Sequence, residues 1–177
     1  DLNSKLKIKF LNISTTSKIN KKIKLDKSKY VATEKTYTKN ASLNKTKIYH
    51  LTANTISDVT CLGIGDGKSH FNFDIETKIN KNCDNVSVNQ DLKVIALTDL
   101  VSADLSPILK INHYNITGSH AAVFKRINQE DLYYLLTRGL SIKEAKNLIV
   151  KGNLLINNEK YYQEIEAILW TEKIFQC

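Results

Sequence analysis

The chain has 177 residues, a formal net charge of +8, one proline and no methionine. That length bounds it to one domain, or one domain with a small appendage, and is enough for a real core. No apolar run approaches the roughly 18 residues of a membrane span, and no signal-peptide pattern is visible. The three cysteines, Cys61, Cys83 and Cys177, are too far apart for a C-x-x-C pair and odd in number. They argue against a disulfide framework or a zinc knuckle and predict a reducing, cytoplasmic setting.

Charge is unevenly placed. Positions 1–50 hold 13 Lys and three acids, a net of +10, and positions 51–177 carry −2. The first stretch lacks Arg, its aromatics are few, and its lysines alternate with apolar residues as the solvent face of a strand does. A solvated face is therefore favoured over a nucleic-acid surface. Leu6-Lys7-Ile8-Lys9-Phe10 alternates with period two and reads as a half-buried strand. Lys18 to Tyr37 continues in a polar, β-permissive style, and Lys47 to Leu62, rich in Thr, Ile and Val, reads as one or two strands. Gly63 to Gly67 has three glycines in five positions. It lacks the Lys-Ser/Thr of a P-loop and no helical pattern follows, so a plain turn is expected.

Phe71, Phe73 and Ile75 alternate next. Lys81 to Asn85 reads as a turn, Val86 and Val88 as one strand, Val94 to Leu97 as another, and Leu105 to Ile116 as a strand pair around Pro107. Apolar centres near Phe73, Ile95 and Ile111 recur at roughly 15–25 residues, in the range of solenoid rungs. By pattern alone, the region to about residue 126 is all-β: sandwich, barrel or solenoid.

From Gly118 the pattern changes. Gly118-Ser119-His120-Ala121-Ala122 reads as a short turn of small residues. A helix is predicted to start at Asn128, a good N-cap, with Glu130 and Asp131 in the first turn where the macrodipole favours acids. Leu132, Leu135 and Leu136 form one apolar stripe, and Gly139 takes the C-terminal cap. A second helix is predicted from Ser141, whose spacing to Glu144 is that of a capping box. Ala145, Leu148 and Ile149 form its stripe and Gly152 its stop. A third helix, with Tyr161, Ile165, Ile168 and Leu169 as its stripe, is predicted after Asn157-Asn158.

The run Ser119-His120-Ala121-Ala122, then Leu132-Tyr133-Tyr134-Leu135-Leu136-Thr137-Arg138-Gly139-Leu140-Ser141, then Lys143-Glu144-Ala145 and Leu148-Ile149-Val150-Lys151-Gly152 resembles the C-terminal signature of the SufB/SufD family. These are the scaffold proteins of the SUF iron–sulfur cluster assembly system. The match is close over this run and weaker upstream, where Phe71 to Ser119 is similar in rhythm to the last rungs of the family core. Gly118 stands where SufD-like members often carry Cys, and Asn153 replaces an aromatic. The Ser before His120 favours a SufD-like over a SufB-like member. The resemblance selects among the β architectures: a right-handed parallel β-helix over 1–126, then a small α-helical domain over 127–177. Full-length relatives carry an N-terminal helical region that is not in this sequence, which predicts either a piece of a longer protein or a reduced, divergent member.

Candidate sites follow from residue chemistry and from the resemblance. His120 is a candidate metal ligand, because neutral imidazole binds iron; in the family the His of this motif lies near the contact between scaffold subunits. Cys83 and, less so, Cys61 are candidate thiolate ligands, against the plain reading of buried small hydrophobes. His70 and His113 are assigned no role, and Asp66, Asp74 and Glu76 form no trusted carboxylate pair. The resemblance implies that the C-terminal helices dock a SufC-type ABC ATPase, with Tyr133, Tyr134, Arg138, Lys143 and Lys146 on the docking side, and that the β-helix pairs with a second SufB/SufD subunit. It implies no stably bound cofactor, only a transient iron–sulfur cluster. Gly-x-Ser-x-Gly, His-Glu-x-x-His and Walker motifs are lacking, so no independent enzymatic activity is expected. The alternative is a non-enzymatic β-rich module that binds nucleic acid or an acidic polymer through the lysine-rich N-terminal face.

Overall fold

A computed structural model describes residues 4–13 and 16–155. Among them lie nine strands: β1 (Ser4–Ile13), β2 (Thr16–Leu25), β3 (Ser28–Thr38), β4 (Ala41–His50), β5 (Ile56–Gly65), β6 (His70–Ile79), β7 (Val86–Ala96), β8 (Ser102–Ile111) and β9 (Ile116–Arg126). Two helices follow, α1 (Gln129–Thr137) and α2 (Ile142–Leu155). The odd strands form one sheet, ordered β1-β3-β5-β7-β9, and the even strands a second, ordered β2-β4-β6-β8. Every pairing is parallel. A parallel pair needs a long crossover, and here each crossover is the strand laid in the opposite sheet. The chain is thus the expected parallel β-solenoid followed by helices.

Each coil contributes a strand to both sheets, which corrects the rung spacing. Phe73, Ile95 and Ile111 lie on β6, β7 and β8, so their intervals count half-coils. A full coil carries the chain from Ser4 to its register partner Ser28, and a longer one carries it from His70 to Ser102. Three strand boundaries shift as well. Val86 to Ala96 is one unbroken strand. Lys18 to Tyr37 divides into β2 and β3. Pro107 sits inside β8, opposite Ile75; β8 is an edge strand, where a missing N–H need cost no ladder bond.

The two sheets bury alternate residues between them. Tyr30, Val59, Phe71, Phe73, Ile75, Leu92 and Val94 build the main core, with Phe71 and Phe73 edge-to-face at 5.7 Å between centroids. Gly63 and Gly65 belong to β5 rather than to a turn. A Cβ at Gly63 would lie 2.6 Å from the Phe71 ring, so the glycines record a close approach and only Gly67 (φ +60) turns the chain. Asn54 and Asn85, both with positive φ, stack in successive corners, the Asn85 amide donating to Asn54 Oδ1 at 2.7 Å.

Several polar groups inside the stack are paired, although the Tyr30 hydroxyl, Ser69 Oγ and Gln90 Oε1 are buried without a partner among the described residues. Glu34 accepts from Lys21 Nζ at 2.5 Å and from Asn44 Nδ2 at 2.6 Å. His50 is fully buried between the hydroxyls of Thr55 (2.6 Å) and Ser57 (2.9 Å). Burial, which disfavours the charged imidazolium, pushes its pKa down to about 4.

The helices pack across the ends of the odd strands. Val150 and Leu154 of α2 share a core with Tyr37, Ile64, Leu97 and Ile127. α2 runs through Gly152 to Leu155, so the expected stop is not there. The cost of a mid-helix glycine, about 1 kcal/mol, is outweighed by burial of Leu154 and by Lys35. From β3, the Lys35 ammonium donates to the carbonyls of Asn153 and Leu154, both at 2.9 Å. It thus gives two carbonyls in the last described turn of α2 a charged donor. The expected third helix and Cys177 lie outside the described residues.

Candidate functional site

Two surfaces stand out: the helical hairpin and the free end of the stack at β8 and β9. The hairpin is built as its sequence dictates. Asn128 has extended geometry (φ −67, ψ 123) and its Oδ1 accepts from the Glu130 N–H at 3.1 Å. Gly139 takes φ +87, and its N–H closes on Leu136 O at 3.0 Å. The capping box forms: Ser141 N–H and Oγ both donate to Glu144 Oε2, at 2.8 and 2.7 Å. These bonds to its charged form hold the Glu144 carboxyl below its ordinary range.

The hairpin turns its aromatic side outward. Tyr133 and Tyr134 are 69% and 56% exposed, so neither completes the hairpin core. Arg138 stacks on the Tyr134 ring at 5.1 Å and donates to its hydroxyl at 3.1 Å, a pairing that stiffens both side chains. Lys143 is exposed, and Lys146 is half-buried. Lys146 instead lines a cleft of about 360 Å³ between the hairpin and the last coil, with Leu97, Asp99, Arg126, Leu132 and Ile142. The expected stripe of α2 holds at Ala145, which is buried, and at Ile149, which packs on the core, but Leu148 is exposed and Val150 and Leu154 are buried in its place. Packing against the solenoid, not the hairpin alone, sets that face.

At the free end, β9 pairs with β7 on one side only among the described residues. Ten of its positions, Thr117–Arg126, are exposed. Val123 and Phe124 on β9 and Ile108 and Ile111 on β8 give this end a mainly apolar surface. His120 lies in the middle of β9, opposite Gln90, not in the turn that its small neighbours imply. Its register column runs back through Gln90 and Val59 to Ala32. In the inner coils that column is buried; at the last coil it is open.

The structure does not bring His120 and Cys83 into one exposed site. Cys83 is fully buried with Ile79, Val86 and Val88; its thiol lies 3.5 Å from His50 O. Burial pushes both the Cys83 and the Cys61 thiols up, and a thiol kept protonated is a poor metal ligand. Among the described residues no three His, Cys, Asp or Glu side chains gather as a metal site. His70 and His113 are occupied at the surface by Asp104 (3.4 Å) and Asp84 (2.6 Å). The donor set of the described residues does not fit an iron–sulfur cluster held by one subunit.

Sequence reasoning missed the open apolar end, because Phe124 continues a column that is buried at Val94 and Gly63 in the inner coils, and only its place in the last coil exposes it. It also missed Lys35, which carries no signal of a partner as distant in the chain as Asn153. The lysine-rich half is partly neutralised: Lys21, Lys45 and Lys47 meet Glu34, Asp74 and Glu76. No helix among the described residues is long and apolar enough to cross a membrane.

Comparison with known proteins agrees with this architecture. Residues 5–153 match the family described as SUF system FeS cluster assembly, SufBD core domain. The chain is 34% identical over 77 residues to the iron–sulfur cluster assembly protein SufD of Bacillus subtilis, covering 44% of this chain and 18% of that protein. It is 27% identical over 106 residues to the SufBD family protein ycf24 of Galdieria sulphuraria (60% and 48%). To the SufB of Bacillus subtilis it is 26% identical over 106 residues (60% and 23%). The matched stretches thus span less than half the length of these relatives. With a family match over most of its length and the parallel solenoid and helical hairpin in place, the chain belongs to the SufB/SufD family of the SUF iron–sulfur cluster assembly system.

Proposed function

We propose that the chain is a non-enzymatic scaffold subunit of iron–sulfur cluster assembly, SufD-like in character, that pairs with a second SufB/SufD subunit through β8 and β9 and docks a SufC-type ATPase through its helical hairpin. The observation that carries the reading is the free end. A long exposed strand edge with uncharged apolar side chains is a surface that soluble proteins otherwise guard. Strand pairing across it would satisfy its backbone groups and cover Val123 and Phe124. His120 would then lie in the joint between subunits, where an imidazole from one chain can be completed by ligands from the other. The cluster is cargo on this reading, held transiently and by two chains; Cys83 plays a packing role.

The hairpin supports the docking half of the proposal. Tyr133, Tyr134 and Arg138 are residue types enriched at binding hot spots, and the Arg138–Tyr134 stack presents them in a fixed arrangement. Lys143 adds charge on the exposed side, and Lys146 reaches the adjoining cleft.

Calorimetric titration of the chain with a SufC-type ATPase tests docking. The control is the double variant Tyr133→Ala, Tyr134→Ala, since removing the helices would bare the core they share with the solenoid. Binding lost in the variant supports the hairpin as the dock. Equal binding by both chains, or none by the native chain, overturns it.

A further inference from the structure

The cleft between the hairpin and the last coil has the make-up of a small-ligand site. Its volume of about 360 Å³ falls in the range of pockets that take small molecules, about 300–1,000 Å³. That is less than the space filled by one turn of helix with its side chains, a cylinder about 10 Å wide and 5.4 Å tall, so an element of a partner protein does not fit. The lining is mostly apolar with a few polar groups, as such pockets are. Leu97 and Ile127 are buried beneath it, Leu132 comes from α1, and Ile142 of α2 is 58% exposed although it lines the cleft. The apolar surface of Ile142 therefore has no cover among the described residues.

Three charged side chains share the cleft: Asp99, Arg126 and Lys146. Two of them cancel, because Arg126 Nε donates to Asp99 Oδ1 at 2.8 Å on the exposed rim. Lys146 is left over. It is half-buried, and among the described residues no carboxylate pairs with its ammonium. The carboxylate nearest to it along the chain, Glu144, is bound to the N–H and hydroxyl of Ser141 in the capping box. A lysine that gives up part of its hydration does so at a cost unless an anion meets it. One uncompensated cation beside an apolar surface is complementary to a molecule with one negative charge and an apolar body.

We propose that this cleft binds a small-molecule carboxylate with a compact apolar body, its carboxylate on the Lys146 ammonium and its body against Leu97, Ile127, Leu132 and Ile142. The site goes beyond the scaffold role and does not rest on it, since neither His120 nor the Tyr134–Arg138 stack takes part. A molecule seated there touches both the hairpin and the last coil and so holds the two together.

Four probes test the inference against the full 177-residue chain. Phenylpropionate has the charge and the body, phenylpropanamide the body without charge, phenylpropylamine the body with the opposite charge, and acetate the charge without the body. Amide chemical shifts of the isotope-labelled chain give both affinity and place. Phenylpropionate is expected to shift the signals of Leu97, Leu132 and Lys146 and to bind about tenfold or more tightly than phenylpropanamide. The amine and acetate are expected not to bind. Lys146→Gln is expected to bring phenylpropionate down to the affinity of the amide and to leave that of the amide unchanged, whereas Ile142→Ala weakens both to the same degree. If either variant fails to fold, the probe series on the native chain decides. Equal binding of phenylpropionate and phenylpropanamide, shifts confined to another surface, or phenylpropionate binding that Lys146→Gln leaves unchanged would overturn the proposal. So would no binding by the native chain, as another part of the chain seated in the cleft would produce.

Discussion

The first and last coils of the described residues are built from the same repeat and carry opposite surfaces. At β1 and β2 the edge is lined with lysines; at β8 and β9 it is mainly apolar. Among the described residues each is an outermost coil, and Leu6, Phe10 and Phe124 are exposed there although their register partners Tyr30, Glu34 and Val94 are buried. The difference shows that the repeat fixes the fold while the residues facing outward set the chemistry of each coil's surface.

The comparison breaks first if the shared interior is weakened. Phe71→Ala, which empties a fully buried ring site between the sheets, is expected to cost about 3–5 kcal/mol. Chemical denaturation would show a lower midpoint, and the proposed subunit pairing and ATPase docking would weaken together; loss of one alone would mean that the last coils and the hairpin fold independently. Acid is the next lever. His50 is buried neutral, with its pKa lowered from 6.5 to about 4, so the unfolded chain takes up the proton first. Stability is full above about pH 6.5 and falls as pH drops toward about 4, by up to about 1.4 kcal/mol per pH unit in that window. His50→Gln should flatten the slope in equilibrium unfolding measured across the window.

Two surface changes sharpen the contrast between the ends. Phe124→Asp is expected to weaken subunit pairing about tenfold or more in sedimentation equilibrium, because it places a charge in an apolar joint, and to shift stability by less than about 0.5 kcal/mol. Phe10→Asp at the other end should leave pairing unchanged; a similar loss there would remove the distinction. The smallest effect is expected of Lys45→Ala. Its ion pair with Asp74 is solvent-exposed, so thermal unfolding should register about 0–1 kcal/mol.

Much of the fold was legible from local rules. Alternation marked most strands, and Asn128, Gly139 and the Ser141–Glu144 box marked the helix ends, because each acts within a few residues. What depends on stacking was not legible. Coils of unequal length, shorter from Ser4 to Ser28 than from His70 to Ser102, blur the repeat, and a two-strand coil halves its apparent period. His120 looks like a turn residue because its neighbours are small, yet β9 needs no large side chains on an exposed face. Of the candidate site residues, Tyr133, Tyr134, Arg138 and Lys143 are outward, as assigned, while Lys146 lines a cleft and Cys83 sits in the core. Which face of α2 is buried followed from the solenoid's corner, which no helical periodicity encodes.

The lysine that grips α2 from β3 has a wider consequence. Stacked repeats touch only their neighbours, so they tend to fray from the ends and melt in stages. Here one helix lies across Tyr37, Ile64, Leu97 and Ile127, residues of four successive coils, and Lys35 fastens its far end to the second coil. That bar couples coils that would otherwise be strangers. It turns a string of nearly independent units into one that melts as a whole, and a partner that grips the hairpin pulls on most of the stack at once.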